Sequence, residues 1–204
     1  ILGSRNSIAK AKCEITRFLN PKGLVIIPYG DSLLDENLKK SWSGKIAKVK
    51  IEKKESNNIF FRKDKYLLGL FDNSKNIIEV DNKKFQISFK GIHNALNFLF
   101  IFAISKELGL KFNNYTRFKF KILDGRNKVI KTNKITIMDE SYNASPESVK
   151  ACIKVLLDYP GRHFLVLGSM QELGKKTFQY HKEIIELIKN SDIFQCILIC
   201  ENDL

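Results

Sequence analysis

Much of what this sequence excludes follows from what it lacks. Its longest apolar run, around Phe98–Ile104, falls far short of the ~20 residues needed to span a bilayer, so no membrane association is expected. No basic stretch followed by an apolar segment opens the chain, and no secretory signal is visible. Arginine is scarce, with 6 residues against 29 lysines. Arginine is the side chain that reads base edges and grips phosphate with a bidentate fork. A net charge of +13 built from scattered lysine among abundant Asn, Ile and Phe therefore argues against a nucleic-acid partner. The nearest basic–aromatic stripe sets Arg117, Lys119 and Lys121 among Tyr115, Phe118 and Phe120, and reads as an ordinary element with a solvated basic face. The four cysteines (Cys13, Cys152, Cys196, Cys200) show no CxxC spacing, and most sit in apolar surroundings. That pattern suits reduced thiols in a cytoplasmic protein. His93, His163 and His181 are too far apart to suggest a structural metal site. There is no initiator Met, and the chain stops just after an apolar run, which leads to the expectation of a piece cut from a longer protein.

What is present reads as globular: 204 residues, 44% hydrophobic and 28% charged. Ser7–Leu19 has helical periodicity, with Ile8, Ala11, Ile15, Phe18 and Leu19 expected to face the core. Pro21-Lys22-Gly23 ends that helix, and Leu24–Ile27 reads as a short buried strand of the parallel type. Between Ile46 and Phe89, alternating segments at Ala47–Ile51, Ile59–Arg62, Tyr66–Leu70, Ile77–Val80 and Phe85–Phe89 predict a run of antiparallel strands. His93–Leu108 is apolar on most faces and predicts a centrally buried helix closed by Gly109. Asn113–Lys121 is a second short element. From Lys134 onward, Ile135–Met138, Pro146–Leu157, Phe164–Leu167, Thr177–Asn190 and Phe194–Cys200 spell βαβαβ, a parallel doubly wound unit. The polar, aperiodic stretch 127–133 is the natural split, giving domains over 1–130 and 131–204.

In open parallel sheets, ligands bind beyond the carboxyl ends of the strands. The loop 139–145 lies there, dense in hydrogen-bonding groups, with Ser145 as N-cap and Pro146 at N1 of the next helix. It reads as a binding loop or as a solvated turn that caps a helix. The loop 168–174 only approaches a phosphate-cradling P-loop. Five residues separate its glycines where four are required, and Lys176 stands where Ser or Thr would ligate Mg²⁺. Lys12 falls between Ile8 and Ile15 on the predicted core stripe, where an ammonium must snorkel or serve as a functional, modified amine. Asn94 and Asn97, at i and i+3 in the first turn of the apolar helix, suit either an adenine edge or a cap and a core amide. Arg126, in a glycine-led loop, suits a phosphate fork or a surface charge.

Together these segments resemble the Mur ligase family, and within it the branch that adds D-alanyl-D-alanine. Ile8–Ile15 (IAKAKCEI) resembles the family's IAxAKGEI helix, and Gly91–Asn97 (GIHNALN) its G(R)HNxxN helix. Asp139–Pro146 reads DESYNASP against DDSYNANP, and Val166–Gly174 reads VLGSMQELG against VLGDMxELG; His181 falls where that branch has a histidine. The resemblance implies an α/β chain: the latter part of a central ATPase domain, then the first half (βαβαβ) of a Rossmann-like C-terminal domain. It implies a cytoplasmic, monomeric enzyme of peptidoglycan precursor synthesis. ATP and Mg²⁺ would convert the terminal carboxylate of UDP-N-acetylmuramoyl tripeptide into an acyl phosphate, which the amine of D-alanyl-D-alanine attacks. By the same resemblance Lys12 is the carbamylated lysine that holds Mg²⁺, and Asn94 and Asn97 contact adenine. Arg126 reaches the γ-phosphate, Glu140 lies near the ribose, and Tyr142 and Asn143 contact substrate. Glu140, Ser145, Ile92 and Ser169 depart from the family's Asp, Asn, Arg and Asp. The family's P-loop and catalytic Glu and His are expected upstream of Ile1, so this piece is expected not to turn over alone. Another Mur-type ligase, or a non-catalytic nucleotide-binding module on the same scaffold, is the alternative.

Overall fold

The computed structural model describes residues 4–54, 66–113, 124–126 and 128–200. It divides into two units, Leu2–Lys119 and Phe120–Leu204, with Ile1 grouped with the second. Among the described residues no helix is long and apolar enough to cross a membrane. The expected strand Ile59–Arg62 and nearly all of Asn113–Lys121, with its basic stripe, lie outside them.

The first unit opens with α1 (Arg5–Cys13), capped by the Ser4 hydroxyl, which accepts from the Ser7 N–H. A 3₁₀ turn, Glu14–Phe18, continues it. The face turned to the core is not the predicted apolar stripe but a neighbouring one, at i, i+4 and i+7. Ala9, Cys13 and Thr16 are buried instead, while Ile8, Ile15 and Phe18 are exposed, Phe18 at 97%. Thr16 is satisfied there: its hydroxyl donates to the Cys13 carbonyl at 2.7 Å and the Ser41 carbonyl at 3.2 Å. Small Ala9 and Cys13 let α1 pack closely on α2 (Ser32–Ser41), a helix the sequence reading did not assign. Its signals were Asp31, whose carboxylate caps the Leu34 N–H at 3.0 Å, and the i, i+4 pair Leu34–Leu38.

The sheet runs β1 (Leu24–Pro28), β2 (Lys45–Lys53), β3 (Leu67–Asp72), β4 (Ile77–Val80) and β5 (Lys83–Gln86), in that spatial order. β1–β2 and β2–β3 are parallel, and only β3–β4 and β4–β5 are antiparallel, which corrects the expectation of an antiparallel run. Antiparallel pairing is confined to the short connections. The β4–β5 turn is the two residues Asp81 and Asn82, both at positive φ, as a primed hairpin turn demands. α3 (Ile92–Glu107) lies on this sheet, where Phe98, Leu99 and Phe102 meet Phe85, Phe71 and Ile78. Gly69 allows the close approach: a Cβ there would sit 3.0 Å from Ile51 and Ile78 and 3.2 Å from Leu99. The helix is not buried all round, because Ile101, Ile104 and Leu108 are exposed along one side.

The second unit contains β6 (Lys128–Lys131), β7 (Thr136–Asp139), α4 (Pro146–Leu157), β8 (Phe164–Gly168), α5 (Thr177–Lys189) and β9 (Gln195–Ile199). β6 occupies the stretch read as aperiodic linker and pairs antiparallel with β7 through a turn held by the Thr132 hydroxyl, which accepts from the Lys134 and Ile135 N–H groups. β8 and β9 pair in parallel. Among the described residues β7 bonds to β6 and not to β8, so the expected three-strand parallel unit appears as two separate ladders. The four-residue link to β6 brings those edges together locally, whereas β8 is reached only through the α4 crossover. Val149 and Ile153 of α4 and Ile184 of α5 cover Leu167 and Met170. Val166 and Ile197, which are register partners, face outward and are exposed.

Candidate active-site loop

A set of polar links joins the turn before β6 to the loop after β7. The carboxylate of Asp139 closes an Asx turn, one oxygen accepting from the Ser141 N–H at 3.1 Å and its hydroxyl at 2.7 Å. The other oxygen accepts from the Gly125 N–H at 3.2 Å. The Ser141 hydroxyl, with backbone N–H groups of Ser141 and Gly125 and the Lys128 charge, holds this carboxyl below the usual range. In return the Tyr142 N–H donates to the Gly125 carbonyl at 3.1 Å. Gly125 is required for this approach. It is buried at φ +71°, and a Cβ would lie 2.7 Å from the Tyr142 nitrogen.

These links put Arg126 over the ring of Tyr142, with the guanidinium carbon 3.8 Å from the ring centroid, a cation–π stack. Both side chains are exposed, Tyr142 at 65%. Glu140 is half-buried, and its charge reaches Cys152 of α4. Burial first, and that charge second, push the Cys152 thiol up to about 11, so it is an inert neutral side chain rather than a nucleophile. Asn143 is exposed, and its side-chain oxygen accepts from the Ala144 N–H at 2.9 Å. The loop ends as the sequence predicts: Ser145 caps α4 in a reciprocal box with Ser148, and Pro146 sits at N1.

The remaining predicted residues lie in the first unit, on separate helices. Lys12 is exposed on α1, which corrects its placement on a buried stripe. Asn94 is buried at the start of α3, its amide donating to the Lys90 carbonyl at 2.7 Å and lying 3.0 Å from His93 Nε2. Asn97, three residues on, is exposed, so the two amides do not share one environment. The loop after β8 is fixed by His181, whose Nε2 accepts from the Met170 N–H at 3.0 Å while Nδ1–H donates to the Thr177 carbonyl at 2.8 Å. Those two bonds assign the neutral Nδ1–H tautomer. Beside it, Leu167, Phe178, His181, Leu198 and Ile199 line a largely apolar cavity of about 240 Å³. Sequence reasoning did not single out Asp139 as the anchor; its signal was Asp-x-Ser directly after a strand. Among the described residues no group of three or more His, Cys, Asp or Glu could hold a metal ion, so a divalent cation would need ligands beyond these.

Two segments of the sequence match one known family. The Mur ligase middle domain matches residues 1–105, and the Mur ligase glutamate ligase domain matches residues 125–203. The chain belongs to the Mur ligase family. Its relatives include the UDP-N-acetylmuramoyl-tripeptide–D-alanyl-D-alanine ligase of Synechocystis, 29% identical over 93% of this chain and 39% of that protein. The enzyme of the same name from Bacillus subtilis is 32% identical over 89% of this chain and 39% of that protein. The chain thus spans about two-fifths of the length of these relatives. The fold is shared with the MurF ligase of Thermotoga maritima crystallised with ADP, at a TM-score of 0.77 and 20% identity, covering 100% of this chain and 50% of that one. MurF of Acinetobacter baumannii gives 0.74 at 21% identity, covering 97% and 43%.

Proposed function

We propose that this chain forms part of an ATP-dependent ligase that joins D-alanyl-D-alanine to UDP-N-acetylmuramoyl tripeptide in peptidoglycan precursor synthesis. The reading is carried by likeness along nearly the whole chain to relatives named for that reaction. The exposed guanidinium of Arg126, stacked on Tyr142 of the loop 139–145, supports it. The nucleotide supplies the phosphoryl group that makes the peptide's terminal carboxylate a competent acyl donor. In this reading Arg126 offers its fork to the terminal phosphate and neutralises charge that grows as the phosphoryl group moves. Asn94 and Asn97 hold the adenine, and Glu140 the ribose. Asn143 faces the substrate. Lys12, if carbamylated as the family resemblance implies, would add one anionic ligand to a Mg²⁺ ion. The four free thiols fit a cytoplasmic enzyme, and we take it to be a monomer.

The test is phosphate release by the full-length protein. Release that requires both UDP-N-acetylmuramoyl tripeptide and D-alanyl-D-alanine is expected. Release with the tripeptide and a different amino acid would move the protein to another Mur-type activity, and no release with any acceptor would remove the ligase reading.

A further inference from the structure

We propose that Tyr142 and Asp139 are positioning residues for Arg126, holding its guanidinium in place before any anion arrives. The side chain of Arg126 is exposed and long, and unrestrained it would sample many rotamers. Two restraints limit it. The backbone at its root is fixed from both sides, by the Gly125 N–H bond to Asp139 and by the Tyr142 N–H bond to the Gly125 carbonyl. The guanidinium itself lies on the Tyr142 ring at 3.8 Å. Stacking engages the face of the guanidinium, whereas recognition of an anion uses the N–H groups in its plane. A ring can therefore orient the fork without consuming it. Asp139 acts one step further back: by closing the turn at Ser141 it sets the direction in which Tyr142 leaves the backbone. All of these contacts lie within the second unit, so the arrangement is built into one piece of the fold.

The kinetic part of this inference rests on the proposed ligase activity, and its chemical part does not. In the full-length protein, Y142L is expected to lower kcat by roughly two- to fivefold, the size of an exposed cation–π contact, with KM for the peptide unchanged. Y142F, which keeps the ring, should restore kcat. In an R126K background Y142L should cost nothing further, because its effect passes through the arginine. Independently, the rate at which phenylglyoxal modifies Arg126, followed by peptide mass mapping, should rise by a similar factor in Y142L and D139N and stay at the wild-type value in Y142F. A raised KM with unchanged kcat in Y142L would make Tyr142 a direct substrate contact and overturn the proposal. Multiplying effects in the double variant, or an unchanged phenylglyoxal rate, would overturn it as well. If the wild-type protein shows no ligase turnover, the functional reading fails, and the phenylglyoxal rates still decide the positioning role.

Discussion

The two units hold their candidate site residues by different physics. In the first, Asn94 sits on the buried face of a helix packed into an aromatic core, with Phe85 and Phe98 at 5.3 Å and Phe85 and Phe102 at 5.5 Å between ring centroids. Its position is inherited from apolar burial. In the second, Arg126 and Tyr142 sit on exposed loops, and what fixes them is a short chain of hydrogen bonds through Asp139 and Gly125. Packing positions a residue by making every alternative arrangement leave a void. A bonded loop positions it by satisfying particular donors, which one substitution can undo locally. The first unit should therefore lose its site only by losing stability, and the second should be able to lose site geometry with little stability.

The largest expected effect breaks the first half of that comparison. Phe85→Ala removes a fully buried ring that touches Phe98, Phe102 and Phe112. It should cost about 3–5 kcal/mol, read as a lower urea midpoint for the full-length protein. A loss within 1 kcal/mol would mean the core closes around the gap and does not position α3. Next in size is Gly125→Ala. A side chain at φ +71°, placed 2.7 Å from the Tyr142 nitrogen, should cost about 1–3 kcal/mol and push the two loops apart. Its signature is a rise in Arg126 reactivity out of proportion to the stability loss. A stability loss with unchanged Arg126 reactivity would show that the two loops are not coupled at this point.

How far each half could be read from sequence follows the same division. The strands around Leu67–Asp72 and Ile77–Val80, the helix at 92–107 and the capped start of α4 were legible because period, cap residue and turn residue are local signals. The parallel pairing of β2 with β3 was not, because alternation records which face is buried and carries nothing about the neighbour's direction. The buried face of α1 was misread because apolar spacing does not mark it: α1 packs on α2 through the small Ala9 and Cys13, which leaves Ile8, Ile15 and Phe18 exposed. For the site, motif likeness selected Arg126 and Tyr142, and the structure put them in contact. Asp139 was overlooked in its anchoring role because its bond to Gly125 spans fourteen positions, a separation at which residue spacing says nothing.

A smaller effect sharpens the second half. Ser145→Ala removes the hydroxyl that accepts from the Ser148 N–H at 3.2 Å and should cost about 1 kcal/mol of α4 stability in thermal melts. Because Arg126 is held from Asp139 and Gly125, its phenylglyoxal reactivity should stay at the wild-type rate in this variant. A change there would show that the cap of α4, rather than the Asx turn, governs the loop.

The smallest effect concerns protons at the packed site. Burial holds the His93 ring below the usual histidine range, and its Nε2 faces the Asn94 amide, which needs an acceptor there. The neutral ring is thus the native form. The unfolded chain binds the proton first as pH falls, so stability is fully present above the unfolded value near 6.5 and is lost as pH falls below it toward the folded value. Melting temperatures of the full-length protein should decline on that side, and His93→Gln, which keeps an acceptor and removes the titration, should flatten the corresponding part of the slope. Equal slopes in wild type and H93Q would assign the acid sensitivity elsewhere. Under the packing argument above, H93Q should also leave Arg126 reactivity untouched, since the bonds that hold the arginine's loop, Gly125 to Asp139 and Tyr142 to Gly125, both lie within the second unit.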